Sequence, residues 1–523
     1  MDGRATVPCN PLVEGGPVTH HSLAAIGPLV VSTRNPRYFA VRGAAGVERP
    51  VYLTGSHIWN NLHDGMGPGP SCKAEPEVFD WDGYLAFLAE RGHSFIRLWR
   101  WEQVRSQAAG GSYHLCMTPQ PWARVGPGTA KDRRPCFDLE QWNEGYFSRL
   151  RERVLQAGMA GIYVGVMLFD GWALHLSPPP DHIEGHPFHA GNNVNGIAAE
   201  SIDDLQVLPL DPRIRALQEA YVRKVVDTLH DLPNVLWEVA NESTGDGTVD
   251  AEFAGFLGFS EPPAWGDSTS WQHWIIDLVK DHESSSGYDA HPIGMTMQFP
   301  VADQVRVNEP LLRSRADWIS PGYDDERFAN GGHPMAPGSA PSRWYADPPP
   351  ADGAKVVVSD TDHYAPGEGD ALWAWKSFIR GHHPILMDFG LIDGLAPTGS
   401  APSTEPGAPR SFEYYEPARF AMGDTRRYAD RVDLLAMEPR TDLASTGYVL
   451  ADPGREYLVL QPASGQPFTV SATPGRYAVE WWDVAARRRV AAEPVTVNGS
   501  PLRAIAPFAS PSPAVLYLRA LPA

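Results

Sequence analysis

From about residue 50 to 390 the chain alternates short β-branched runs with longer amphipathic segments, and this rhythm limits its fold more than any other feature. The runs are Pro50–Gly55, Ser94–Trp99, Ile162–Phe169, Asn234–Ala240, Ile293–Thr296, Trp318–Ser320, Lys355–Ser359 and Pro384–Met387. Short, nearly continuous apolar runs suit strands of a parallel sheet covered on both faces, and each such strand needs a crossover to return the chain. The segments between them supply crossovers: Trp81–Arg91, Leu139–Ala157, Ile214–Leu229, Trp271–Asp281 and Ala371–Arg380 carry apolar residues at helical spacing, as in Tyr84, Leu85 and Leu88. Eight such runs predict an α/β chain folded as a (β/α)8 TIM barrel, whose functional residues gather at the C-terminal ends of the strands.

The flanks read differently. After Pro439 the chain becomes a series of short strands, Tyr448–Ala451, Glu456–Leu460, Phe468–Ala472, Tyr477–Asp483, Arg489–Val495 and Val515–Arg519, parted by turns such as Asp452-Pro453-Gly454. This predicts an antiparallel β-sandwich. Ahead of the barrel, Leu29–Ser32 and Arg37–Val41 read as a hairpin or strand packed on the barrel floor or on the sandwich. The expected division is 1–49 for this β segment, 50–439 for the barrel and 440–523 for the sandwich, with 327–354 and 395–410 as long barrel loops.

Charge narrows the ligand. Lys and Arg number 43 against 63 Asp and Glu, a net charge of −20, which disfavours nucleic acid and anionic membranes as partners. No apolar stretch is long enough to span a bilayer. The N-terminus lacks the apolar core of a secretory signal, which points to the cytoplasm or to a leader already removed. Cys9, Cys72, Cys116 and Cys136 are too few and too irregularly spaced for a disulfide scaffold, so free thiols are expected, with a Cys116–Cys136 or Cys72–Cys116 bridge as the alternatives. Seventeen Trp with 50 Pro and 49 Gly suggest aromatic surfaces carried on ordered loops.

The strand ends carry the chemistry. Asn234-Val-Leu-Trp-Glu-Val-Ala-Asn241-Glu242 is an apolar strand ending in an amide and a carboxyl group. A bare Asn-Glu is usually a surface cap, but after the fourth barrel strand it lies at the mouth. Sugar hydrolysis by two carboxyl groups needs one held protonated to serve the leaving oxygen and a second across the bond, and the seventh strand offers Asp360 and Asp362, two apart and so on one face, followed by His363. His57, Trp59, Arg100, Asp170 and Trp172 at other strand ends, with Asn241 and His363, are candidate substrate contacts, since indoles with Asn, Arg and Asp match the apolar faces and hydroxyl edges of a sugar. Gln298 and Tyr323 also fall at strand ends, and an Arg97–Asp170 salt bridge across the mouth is an equal alternative to a substrate contact there. Asp181-His182-Ile-Glu184-Gly-His186-Pro-Phe-His189 invites a metal, but without an H-x-H at the end of strand one neither a metal nor any cofactor is expected, and the loop reads as a substrate cover. Phosphate-cradling and nucleophile-elbow motifs are absent from the sequence.

These residues bear a family likeness. Asn35-Pro36-Arg37-Tyr38-Phe39, Val51-Tyr52-Leu53-Thr54-Gly55-Ser56-His57-Ile58-Trp59, Phe79-Asp80-Trp81-Asp82-Gly83-Tyr84 and Phe95-Ile96-Arg97-Leu98-Trp99 resemble bacterial glycoside hydrolases of the cellulase-like clan A. The layout over residues 35–520 is similar to apiosidase-like proteins, in which a barrel precedes a β-sandwich labelled collagen-binding. The resemblance implies Glu242 as acid/base and Asn241 at the sugar 2-hydroxyl. It implies a Glu nucleophile ending strand seven, where this chain has Asp360, then Asp362, and no Glu until Glu368. The expectation is a glycoside hydrolase acting on a neutral poly- or oligosaccharide, with Glu242 as acid/base and Asp360 or Asp362 as second carboxylate. A non-catalytic carbohydrate-binding barrel and a metal-dependent barrel hydrolase are the alternatives.

Overall fold

The computed structural model describes residues 25–43, 45–68, 76–104, 106–108, 113–175, 183–248, 251–256, 259–301, 303–324, 342–391 and 411–522. Eight parallel strands form one sheet: β1 Gly55–His57, β2 Phe95–Leu98, β3 Tyr163–Asp170, β4 Val235–Asn241, β5 Ile293–Thr296, β6 Trp318–Ser320, β7 Val356–Asp360 and β8 His383–Met387. β8 pairs with β1, and the seam between β1 and β2 is closed by Ser94 N–H to Thr54 O at 2.8 Å and Thr54 N–H to Ser94 Oγ at 3.1 Å. The strands are followed in turn by α1 Trp81–Glu90, α2 Glu144–Met159, α3 Pro212–Leu229, α4 Thr269–Ser286, α5 Glu309–Arg313, α6 Arg343–Ala346, α7 Ala371–Ile379 and α8 Phe412–Ala429. The chain is a TIM barrel with a C-terminal antiparallel sandwich. Among the described residues no helix is long and apolar enough to cross a membrane.

The lower barrel is filled and its floor is closed. Leu53, Phe95, Tyr163, Leu236, Trp318, Val356, Val358 and Ile385 form one buried cluster with Leu29, Phe39 and Val41 of an N-terminal sheet. Space for Trp318 comes from Gly294 on the adjoining strand, where a Cβ would lie 2.0 Å from the indole. That N-terminal sheet has three strands, Val30–Val31, Phe39–Arg42 and Glu48–Val51, which moves the start of the first barrel strand. Pro50, expected in strand one, belongs instead to the floor sheet because Glu48 is drawn in as a buried acceptor for the hydroxyls of Ser32 (2.7 Å) and Thr33 (3.0 Å).

A second expectation also fails. Leu139–Trp142, read as the start of a helix, is the end of strand Pro135–Trp142, paired antiparallel with Trp122–Thr129. Asn195 Oδ1 accepts the Leu139 N–H at 2.8 Å, and α2 begins only at Glu144. The buried Phe137 and Leu139 flank half-exposed Asp138, a two-residue alternation proper to a strand. The cysteines need correcting too: Cys116 is disulfide-bonded, to a cysteine outside the described residues, while Cys136 is free and buried, so neither the all-thiol reading nor the Cys116–Cys136 bridge holds.

In the C-terminal six-stranded sheet the inner strands bury both faces, each in a different core, while the edge strand Arg488–Val497 is largely exposed. Along Val449–Asp452 and Glu456–Gln461, Val449, Ala451, Tyr457 and Val459 join the sandwich core with Phe468, Val470 and Trp481. The alternate residues Leu450, Leu458 and Leu460 join the barrel core together with Trp482 and Tyr517. Tyr428 of α8 meets the Trp482 and Tyr517 rings at 6.0 and 6.2 Å. A partly exposed ion pair spans the same junction: buried Asp424 of α8 accepts Arg487 Nε at 2.8 Å and Nη2 at 3.0 Å, with that guanidinium 4.0 Å from the Phe420 ring centroid.

Candidate active site

β4 delivers Asn241 and Glu242 to the mouth through an unusual bend. Glu242 has φ +43°, a left-handed conformation that costs free energy in a residue with a side chain and is retained where the surroundings impose it. Neighbouring strand ends do so: Gly171 N–H donates to Asn241 O at 2.7 Å, and Phe299 N–H donates to Ser243 O at 3.0 Å. A Cβ on Gly171 would sit 2.5 Å from Ser243 Cα and 2.6 Å from Glu242 O, so only glycine permits this approach.

Beneath Glu242 lies one guanidinium serving several acceptors. Arg97 on β2 is fully buried, donating Nε and Nη2 to the two Glu238 oxygens at 2.9 and 2.5 Å. Nη2 also reaches Asn241 Oδ1 at 2.7 Å, and Nη1 reaches Asp360 Oδ2 at 2.9 Å and Asp362 Oδ2 at 3.5 Å. The expected Arg97–Asp170 pairing is replaced by this network, because Glu238 points into the barrel directly opposite Arg97. A second donor to Asn241 Oδ1 is His363 Nε2 at 3.1 Å, whose Nδ1 then accepts the Ser320 hydroxyl at 2.7 Å. With its oxygen occupied twice, Asn241 has its amide N–H groups to offer a ligand.

The two β7 aspartates have different surroundings. Asp360 is fully buried: Oδ2 lies 2.9 Å from Arg97 Nη1 and 2.8 Å from His57 Nε2, and Oδ1 accepts the Asp362 backbone N–H at 3.0 Å. Trp99 Nε1–H donates to His57 Nδ1 at 2.9 Å, so the His57 proton sits on Nε2, facing Asp360. Asp362, on the turn that follows, retains 8% exposure and lies beside Glu242, with ligand atoms of Glu242, Asp362 and His363 all within 4.8 Å of one another.

Protonation follows from burial and from this single cation. Burial pushes the Glu242 carboxyl well above its usual range, and the neighbouring Asp362 charge adds to that against the pull of Arg97. Burial and the Asp360 charge push Asp362 up to about 7. Asp360 is also penalised by burial, but His57 and Arg97 outweigh it and hold its carboxyl far below the ordinary range. Glu242 and Asp362 therefore cannot both ionise easily, and Arg97, which touches only Asp362, leaves the shared proton on Glu242. His363 is kept neutral by burial and by Arg97. Asp170, buried with Oδ2 capping Ala173 N–H at 3.0 Å, is raised by burial as well. Tyr323 is buried facing the Glu242 and Asp362 carboxyls.

The candidates from sequence thus fall into two groups. His57, Asp170, Asn241, Glu242, Asp360, Asp362 and His363 converge. Arg100 is fully buried away from them, 4.8 Å from the Tyr221 ring of α3, outside the strands. Trp59 is half-buried with its carbonyl taken by Trp101 Nε1–H, and half-buried Trp172 opens the turn next to Asp170 and Gly171. Of the histidine-rich loop, His182 lies outside the described residues, while buried His186 Nε2 meets Glu102 Oε2 at 3.0 Å and Glu102 Oε1 accepts the Asp170 N–H at 2.9 Å. As metal ligands, Glu242, Asp362 and His363 are close enough, but both ring nitrogens of His363 are already hydrogen-bonded. Glu238 and Ser320 were not singled out from sequence. A signal for Glu238 existed: a charged residue within a strand that is otherwise apolar demands a buried cation, and Arg97 stands at the matching place in β2.

No protein-family model matches the chain, and no curated protein sequence matches it. Among solved structures, one described as a glycoside hydrolase aligns with a TM-score of 0.56 and 12% identity over 94% of this chain and 97% of its own. A glycoside hydrolase family 5 structure from Bacteroides vulgatus ATCC 8482 aligns with a TM-score of 0.55 and 12% identity over 94% of both chains. At this identity what is shared is the fold, barrel and appended sandwich together.

Proposed function

We propose that the protein is a clan A glycoside hydrolase that cleaves a glycosidic bond of a neutral poly- or oligosaccharide with retention of configuration. The observation that carries this reading is the pair of buried carboxyl groups at the barrel mouth, Glu242 and Asp362, each with an oxygen within 4.8 Å of the other, and both raised by burial and by neighbouring carboxylate charge. Retaining enzymes hold their carboxyl groups about 5–5.5 Å apart, whereas inverting enzymes leave about 6.5–9.5 Å for a water. Asp362, steadied as a carboxylate by Arg97, attacks the anomeric carbon while Glu242 gives its proton to the departing glycosidic oxygen. The carbon–oxygen bond breaks and an ester to Asp362 forms. Glu242, now ionised, takes a proton from water, whose oxygen displaces Asp362 and releases the sugar. Asn241 and Asp170 are placed to hold ring hydroxyls, and the fold shared with solved glycoside hydrolases supports the assignment.

The test is a panel of aryl glycosides and of plant and bacterial polysaccharides, with products analysed for anomeric configuration. Glu242→Gln should lower turnover by at least about 100-fold while the melting temperature does not fall. Wild-type rates in that variant would sink the assignment.

A further inference from the structure

Asp360 occupies the place where the chain resembles enzymes with a strand-seven nucleophile, yet neither of its oxygens is free to react. Oδ2 is shared by Arg97 and His57, and Oδ1 accepts the N–H of Asp362. Asp360 has no exposure, whereas Asp362 retains some. The two-carboxyl chemistry runs through Glu242 and Asp362 and leaves Asp360 without a reacting role. We propose that Asp360 is a positioning residue, which fixes the reacting Asp362 by capping the turn that carries it and by sharing Arg97 with it.

The proposal rests on the glycosidase reading above and adds a role to it. Three contacts act in concert. The N–H···Oδ1 bond sets where the turn 361–363 leaves β7. Arg97 Nη1 lies between Asp360 Oδ2 and Asp362 Oδ2, so the first ion pair sets the point to which the second is drawn. His57, oriented by the Trp99 indole, holds Asp360 from the opposite side. Because Asp360 is ionised, its charge also bears on Asp362. The charged and titratable groups facing Asp362 are Arg97 from β2, Asp170 from β3, Glu238 and Glu242 from β4, Tyr323 from β6, and Asp360 and His363 from its own segment. Removing the Asp360 charge eases ionisation of Asp362 and also leaves Arg97 freer to pair with it, both in the same direction.

Two measurements decide the matter. The first is peptide mapping of the unaltered enzyme after inactivation by the 2-deoxy-2-fluoroglycosyl fluoride of the sugar it cleaves. The ester is expected on Asp362. An ester on Asp360 overturns the positioning role and leaves the glycosidase reading standing, and because it uses the native protein this result does not depend on any variant folding. The second is the pH profile of kcat/KM in Asp360→Asn. A loss of about 10- to 100-fold is expected from slackened placement, with the acid limb moved to lower pH. An unchanged limb overturns the proposal, since a merely structural loss lowers the rate without moving the profile. Failure of every glycoside to be cleaved removes the functional reading itself.

Discussion

Arg97 and Glu238 lie on strands two positions apart around the barrel and meet through two N–H···O bonds, both side chains fully buried. Such a pair is costly to break from one side, since the partner stays buried with its charge uncompensated. Arg97→Met strands Glu238 and Asp360 together, and urea unfolding should show a loss of about 3–5 kcal/mol. Arg97→Lys should also lose most activity, because one ammonium cannot reach the Glu238, Asn241 and Asp360 acceptors at once.

The site also sets the dependence of stability on pH. The folded state raises Asp362 to about 7, above its unfolded value of about 3.9, so it binds the proton more tightly than the unfolded chain does. Its contribution is fully present below about pH 4 and is lost as pH rises through about 7. Asp360, depressed in the fold, acts oppositely and costs stability only as acid protonates it. Asp362→Asn should therefore flatten the decline between pH 4 and 7 and melt above the parent at pH 7, which calorimetry across that range would check.

Gly171→Ala introduces a methyl group where the backbone of Glu242 and Ser243 already stands. Relief requires moving the Asn241-Glu242 bend or the Asp170 turn. Turnover should drop by about 100-fold or more from displaced acid, with a smaller loss of stability, of about 1–3 kcal/mol. Retained activity would show that the bend is not held by this contact.

Asp424→Ala removes the carboxylate that anchors Arg487, a residue itself at φ +50° in the turn between two sandwich strands. Because Asp424 is buried while Arg487 is one-third exposed and stays solvated when its partner is lost, the expected destabilisation is about 1 kcal/mol. Scanning calorimetry of the parent and of Asp424→Ala should show the variant melting lower as the junction weakens.

The eight-unit rhythm was legible because parallel strands and their crossovers write periodicity into local sequence. What misled the reading was side-chain chemistry acting at long range. Glu48 pulled Pro50 into the floor sheet through hydroxyls sixteen and fifteen residues away, and Asn195 held Leu139 in a strand from fifty-six residues away. Glu242, Asn241 and the paired aspartates were legible because strand ends of a barrel converge. Which aspartate stands beside Glu242 was not, since two positions on one strand share a face and only the partners of each carboxyl group tell them apart. Arg100 shows the reverse limit: it lies close in sequence to a barrel strand yet turns outward to Tyr221.

The sandwich rests on the last turns of α8 and on the C-terminal end of α7, where Arg380 donates to Gly447 O at 2.9 Å. Helices of a (β/α)8 barrel run back from the strand C-termini toward the floor, so the appended domain sits against the outer flank of α7 and α8 and their floor ends, away from the strand ends that carry Glu242. Its sheet is fixed there by Leu450, Leu458, Leu460, Trp482 and Tyr517, with Glu480 bonded to Tyr428 and Arg431 beside them. A polymer caught by both domains would have to drape down the outer wall of the barrel, and the appended domain, unable to swing, could steer only a strand long enough to make that descent.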